Sequence, residues 1–201
     1  MATMNSGRLT DKLRPRHSLP TTTRVTTMSL ELDYAVLLLP PAVEFHSLTD
    51  LTLQTITFSD DDGPRLSHLL SSPSCCPRLR KLTLSHLPGL HDLRLDGGAL
   101  DTLRLESLSG VRRLDVDAPR LSALHVGSFF MYDHDRDSSI NVRAPALEKL
   151  ESALTLGEYI KQRHTIQLLQ QCRPIHSHVL CLYVPEVCTP LLPPFHINYA
   201  H

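Results

Sequence analysis

An excess of charge of either sign is missing from this sequence: Lys plus Arg number 20 against 21 Asp plus Glu, a formal net charge of -1. That balance indicates neither a nucleic-acid surface nor a cleft for acidic substrates. Long apolar runs are also missing. None approaches the roughly 18–20 residues that span a bilayer, and no basic n-region followed by an apolar h-region opens the chain. A soluble, unsecreted protein of the cytoplasm or nucleus is expected, with no membrane and no nucleic acid among its partners. The five cysteines, Cys75, Cys76, Cys172, Cys181 and Cys188, match no zinc-ligand spacing and read as free thiols. Neither a G-x-S-x-G elbow nor a glycine-rich phosphate loop occurs, so no catalytic residue and no cofactor is assigned.

What the sequence does hold is a repeat. Leu79, Leu82, Leu84 and Leu87 recur as Leu100, Leu103, Leu105 and Leu108, then as Leu121, Leu124, Val126 and Phe129, a step of 21 residues taken twice. The form L-x-x-L-x-L-x-x-L with a period of about 20–29 is the signature of a leucine-rich repeat. Between these runs lies a second set, Leu90, Leu93, Leu95 and Val111, Leu114, Val116, offset by the same step. Each coil therefore holds two short strands. One set lines one face of a flat solenoid and the other set the opposite face, with leucines meeting between them.

Register follows from the step. In the second set Asp92 falls beside Arg113 and Arg94 beside Asp115, opposite charges that support the pairing. In the first set the outward rows are Lys81, Thr102, Ala123 and Thr83, Arg104, His125, which show no self-satisfying pattern and are read as free to meet a partner.

Earlier copies place Val25, Met28 and Leu30 in the core of a first strand, and Leu48, Leu51, Leu53 and Ile56 in the next. The longer interval before Leu79 accommodates a helix capped by Asp62, with Pro64 in its first turn and Leu66, Leu69 and Leu70 facing inward. Gly97 and Gly98 are read as a tight turn with positive φ. Later, Leu121 to Leu147 and Leu114 to Ile140 are both steps of 26, which puts a five-residue insertion between Val126 and Ile140. A helix over about Glu158 to Cys172 and a strand from Ile175 to Val184 follow. The fold expected is an α/β leucine-rich-repeat solenoid over 25–184, with a parallel sheet, a second set of short parallel strands and few helices. Residues 1–24 are expected as a basic tail, with an organelle-targeting segment as the minor alternative, and 185–201 as an irregular proline-rich end.

Metal readings fail on spacing. Asp133, Asp135 and Asp137 alternate as in a calcium loop, but Ser138 stands where Gly is needed and Ala144 where a bidentate Glu belongs. His176 and His178 alternate without further ligands nearby. In the insertion, Phe130, Met131 and Tyr132, followed by Asp133 and Asp135, form either an anchor for a partner or a cover for the solenoid edge.

The runs Cys76 to Leu84, Ala118 to Leu124 and Ala144 to Leu150 have the forms C-P-R-L-x-x-L-x-L and A-P-x-L-x-x-L. In these the chain resembles the leucine-rich region of plant F-box proteins, over roughly Val25 to Val184. The resemblance implies binding of a protein target for a cullin-type ubiquitin ligase, with Lys81, Thr83, Arg104, His125 and the insertion as the contact residues. No F-box is expected before Val25, so an adaptor subunit becomes a partner only if an F-box is supplied elsewhere. A truncated product, or a competitor of a full-length relative, is the alternative.

Overall fold

The computed structural model describes residues 15–21, 24–59, 62–108, 110–127, 139–155, 177–183 and 196–200, and side chains as far as 151. In chain order the elements are β1 (Arg16–Ser18), β2 (Thr27–Glu31), β3 (Val36–Leu38), β4 (Asp50–Gln54), α1 (Asp62–Ser71), β5 (Lys81–Ser85) and β6 (Asp92–Asp96). Then come β7 (Thr102–Glu106), β8 (Arg113–Asp117), β9 (Ala123–Gly127), β10 (Ser139–Arg143), β11 (Lys149–Thr155), β12 (Ser177–Tyr183) and β13 (His196–Ala200). Among the described residues no helix is long and apolar enough to cross a membrane.

Period-two alternation makes the strands. In β5, KLTLS, and β7, TLRLE, the leucines at second and fourth place point to one side and the polar residues to the other. Their copies stack into an eight-stranded sheet ordered β13-β12-β11-β9-β7-β5-β4-β2. Every pair in it is parallel except β12 with β13. A three-stranded parallel sheet, β10-β8-β6, covers the other side, and β1 pairs with β3. The registers match the expected steps: Lys81 faces Thr102, Thr102 faces Ala123 and Ala123 faces Lys149, while Asp92 faces Arg113 and Arg113 faces Ser139. The surplus residues of the insertion thus lie between Gly127 and Ser139.

Leu82, Leu84, Leu103 and Leu105 from the large sheet and Leu93, Leu95, Leu114 and Val116 from the small one close on a single buried cluster. At roughly 1.5–3 kcal/mol per buried aliphatic side chain, contact between neighbouring coils holds the stack, and a lone coil has nowhere to bury its leucines.

The helix occupies the place of a small-sheet strand one coil earlier, packing beside β6. Leu66, Leu69 and Leu70 are buried as expected. Asp62 acts differently from the expected cap: its Oδ2 reaches back to accept the N–H of Ser59 at 3.1 Å, the returning half of a capping box. Ser67 Oγ accepts the Arg94 N–H at 3.0 Å and Ser71 Oγ accepts the Asp96 N–H at 2.8 Å, so two hydroxyls one turn apart serve the edge of β6.

Four further expectations need correction. Val25 is 45% exposed and lies outside β2, while Met28 and Leu30 are half-buried, because among the described residues β2 ends the large sheet and has a strand on one side only. Within the segment expected as a tail, Arg16–Ser18 form β1 and Leu19 is buried, its N–H donating to the Leu38 carbonyl. Likewise β13 falls within the segment expected to be irregular. The turn at Gly97 is real, with Leu100 N–H donating to the Gly97 carbonyl, but positive φ belongs instead to Gly89 and Gly110, 21 residues apart. The helix expected over 158–172 lies outside the described residues.

Candidate functional site

The outward face of the large sheet is built by the polar places of each strand. Lys81 and Thr83 come from β5, Thr102, Arg104 and Glu106 from β7, Ala123, His125 and Gly127 from β9, Lys149 and Glu151 from β11. As expected, Lys81 pairs in register with Thr102, and Thr83, Arg104 and His125 stand in one row.

Contrary to expectation, that row is not free. Arg104 Nη2 lies 2.5 Å from Glu106 Oε1 on its own strand, and Glu106 Oε1 lies 3.2 Å from His125 Nε2 on the next. His125 Nδ1 lies 2.9 Å from Glu151 Oε2, and Glu151 Oε1 lies 2.5 Å from Lys149 Nζ. A continuous chain of polar contacts therefore crosses β7, β9 and β11, its two links through His125 becoming ion pairs when that ring is protonated. Lys81 has its own carboxylate, Asp50 on β4, at 3.8 Å. Sequence reasoning followed straight rows of equal register and so missed Glu106, which reaches His125 along a diagonal. The signal was present: Arg104 and Glu106 are two apart on one strand and must share a face.

The electrostatics follow from the contacts. Burial raises Glu106, but the hydrogen bond and charge of Arg104, with His125 beside it, outweigh that and hold the carboxyl below its ordinary 4.5. Glu151 is lowered chiefly by its hydrogen bond to Lys149 and then by that to His125. Carboxylates accept only, so both ring nitrogens of His125 must donate for the two bonds to stand together.

Elsewhere the chemistry is sparse. Cys75 and Cys76 are buried free thiols, and burial with Cys75 alongside pushes Cys76 up to about 12, which removes the reactive thiolate at neutral pH. Cys76 borders a depression of about 230 Å³ between the end of α1 and Asp96 to Ala99. A second, of about 190 Å³, lies on the outer side of the small sheet, where Asn141 Nδ2 donates to Asp115 Oδ1 at 3.0 Å and Arg143 meets Asp117 at 3.4 Å. Both fall short of the roughly 300–1,000 Å³ of ligand clefts. Phe130, Met131, Tyr132, Asp133 and Asp135 lie outside the described residues, as do the other residues of the calcium-like run before Ser139.

Residues 6–172 match the family profile described as "FBD-associated F-box protein At5g56370, LRR repeats". No curated protein and no solved structure gives a match. The leucine spacing, the paired strand sets and this match over most of the length agree, and the chain belongs to the leucine-rich-repeat family of FBD-associated F-box proteins.

Proposed function

We propose that this chain is a recognition module that holds a protein target on the outward face of the large sheet and presents it to a ubiquitin ligase. Repeat modules of this family mediate protein–protein binding. The observation that carries the finer reading is the chain of polar contacts from Arg104 to Lys149, which fixes long polar side chains in place before any partner arrives. Preorganisation of that kind lowers the entropic cost of binding. The flat, charge-paired surface suits another protein better than a small molecule, and binding rather than catalysis is the activity.

Lys81, Thr83, Arg104 and His125 are the contact residues in this reading. The segment joining β9 to β10, with Phe130, Met131, Tyr132, Asp133 and Asp135, is its flanking part. Coupling to the ligase passes through an adaptor subunit, and co-purification of the chain with that adaptor tests the coupling separately.

The test of the face is capture of a protein partner by the tagged chain. Lys81→Glu with Arg104→Glu should lower recovery about tenfold or more, as loss of central contacts does. Arg94→Glu with Asp115→Lys, on the opposite sheet, should leave it unchanged. Equal recovery by the folded face variant and the wild type sinks the proposal.

A further inference from the structure

Among the described residues, the large sheet ends at β13 on one side and at β2 on the other, and no described strand takes up the outer backbone groups of β2. In each later coil the first residue of the large-sheet strand turns its N–H toward the preceding strand: Asp50 donates to the Thr26 carbonyl at 3.1 Å, Lys81 to Thr49 at 2.9 Å and Thr102 to Arg80 at 2.9 Å. Thr27 holds the same place in register with Asp50, but β2 ends the sheet. Alternation then sets Met28 and Leu30 against β4 and turns the N–H and C=O groups of Thr27, Ser29 and Glu31 to the open side. All three residues are exposed, and Met28 and Leu30 are only half-buried where their partners Leu51 and Leu53 are 3% and 0% exposed. The large hydrophobic residues with highest exposure among the described residues, Val25, Tyr34 and Leu38, all belong to this first coil.

We propose that β2 is a self-association edge, through which two copies of this chain pair antiparallel about a two-fold axis at Ser29. Charge selects this occupant and this direction. Arg24 precedes β2, while Glu31 ends it and Asp33 follows. Antiparallel pairing brings the basic end of each strand to the acidic end of the other, twice, with Ser29 facing Ser29 and Thr27 facing Glu31. Parallel pairing sets Glu31 against Glu31. In the antiparallel join Met28 of one copy adjoins Leu30 of the other on the core side, covering the apolar surface that the end coil leaves open. A two-fold contact is self-complementary and closes at two copies. The long sheet becomes continuous across the pair, and the target-binding face described above is displayed twice on one surface.

Sedimentation equilibrium of the full chain tests this. A reversible dimer is expected at concentrations up to about 200 µM, the range in which a modest interface associates. Ser29→Pro removes the central outward donor without touching the bonds to β4, a place where an edge strand tolerates proline. The folded variant should be monomeric throughout. Glu31→Arg should weaken the dimer about 2–10-fold by setting like charges together, and adding Arg24→Glu should restore it, since the charges are then exchanged on both copies. A wild type that stays monomeric overturns the proposal, as does a mass that climbs past the dimer or a folded Ser29→Pro chain that dimerises unchanged. If Ser29→Pro does not fold, the charge variants decide: dimerisation unaffected by Glu31→Arg overturns the proposal, and loss with restoration supports it.

Discussion

Glu106 meets His125, Oε1 to Nε2 at 3.2 Å, over the one position of the face that carries no side chain. That position is Gly127, which stands in register opposite Glu106. A Cβ there would lie 3.2 Å from His125 Nε2 and 3.3 Å from Glu106 Cγ. The glycine makes room for the diagonal pair, and through it the ion pairs of β7 join those of β11.

A double-mutant cycle measures that junction. Glu106→Gln and His125→Gln, compared by urea unfolding, should show a coupling of about 0.2–1 kcal/mol, typical of a partly exposed pair. In a Gly127→Val background the coupling should vanish, because the branched side chain occupies the path between the two groups. A coupling that survives Gly127→Val would show that the glycine has no part in it.

Acid should loosen the same face. Glu106 and Glu151 both have folded values below the ordinary 4.5. A lowered carboxylate contributes stability above its unfolded value and loses it as pH falls through the folded one, because the unfolded chain takes up the proton first. Stability to urea should therefore decline from about pH 5 downward, and the decline should be shallower in Glu106→Gln with Glu151→Gln. Parallel curves for the two chains between about pH 5 and pH 3 would assign the acid sensitivity to other carboxylates.

Much of the fold was legible because leucine spacing encodes it twice. Leu82 and Leu84 mark the inner face of one strand, Leu93 and Leu95 that of the opposing one, and the equal step in both sets fixes which residues stand side by side. What spacing cannot carry is the behaviour of ends and diagonals. Val25 follows the pattern but precedes β2, the end strand of the large sheet, beyond which no described strand lies, and it stays exposed. Leu19 breaks the pattern yet is buried, because β1 adds to β3 over only three residues, too short a run for periodicity to register. Glu106 was invisible as a site residue for another reason. Its partner His125 sits two places along the adjacent strand, and only side-chain reach, together with the small size of Gly127, brings them together.

Backbone conformation makes a sharper prediction at Gly89. Its φ is +85°, and a Cβ would fall 2.2 Å from the Phe58 carbonyl oxygen, a backbone atom that cannot swing aside. Phe58 is itself tied there, its N–H donating to the Pro88 carbonyl at 3.1 Å. Gly89→Ala should cost about 3 kcal/mol or more, from the strained φ and the overlap together. Gly98 supplies the contrast: a Cβ there meets no atom within 4 Å. Gly98→Ala should leave stability unchanged or raise it by about 0.4–1 kcal/mol through the lower entropy of the unfolded chain. Thermal melts of the two variants should differ in sign, and similar melts would contradict the assignment of the left-handed turn to Gly89.

The serine pair on α1 offers a prediction in which two effects pull in opposite directions. Ser67 and Ser71 are helical residues, and alanine is the better helix former at both places by a few tenths of a kcal/mol, on the order of the propensity scale. If their hydroxyls merely faced solvent, Ser67→Ala with Ser71→Ala would stabilise the protein. The hydroxyls instead accept the N–H groups of Arg94 and Asp96, at 3.0 and 2.8 Å, and Ser71 Oγ also donates to the Arg94 carbonyl at 3.3 Å. In later coils a strand supplies such partners: Arg113 and Asp115 stand beside Asp92 and Arg94, and Ser139 and Asn141 beside Arg113 and Asp115. Before β6 there is a helix, and a helix has no backbone groups to offer sideways. The two serines replace the missing ladder. Their loss should cost about 0.5–1.5 kcal/mol per hydrogen bond, more than the propensity gain returns. It should also speed hydrogen exchange at the Arg94 and Asp96 amides while leaving those of β8 unchanged. A stabilised double variant with unaltered exchange at β6 would mean that water serves this edge as well as the helix does.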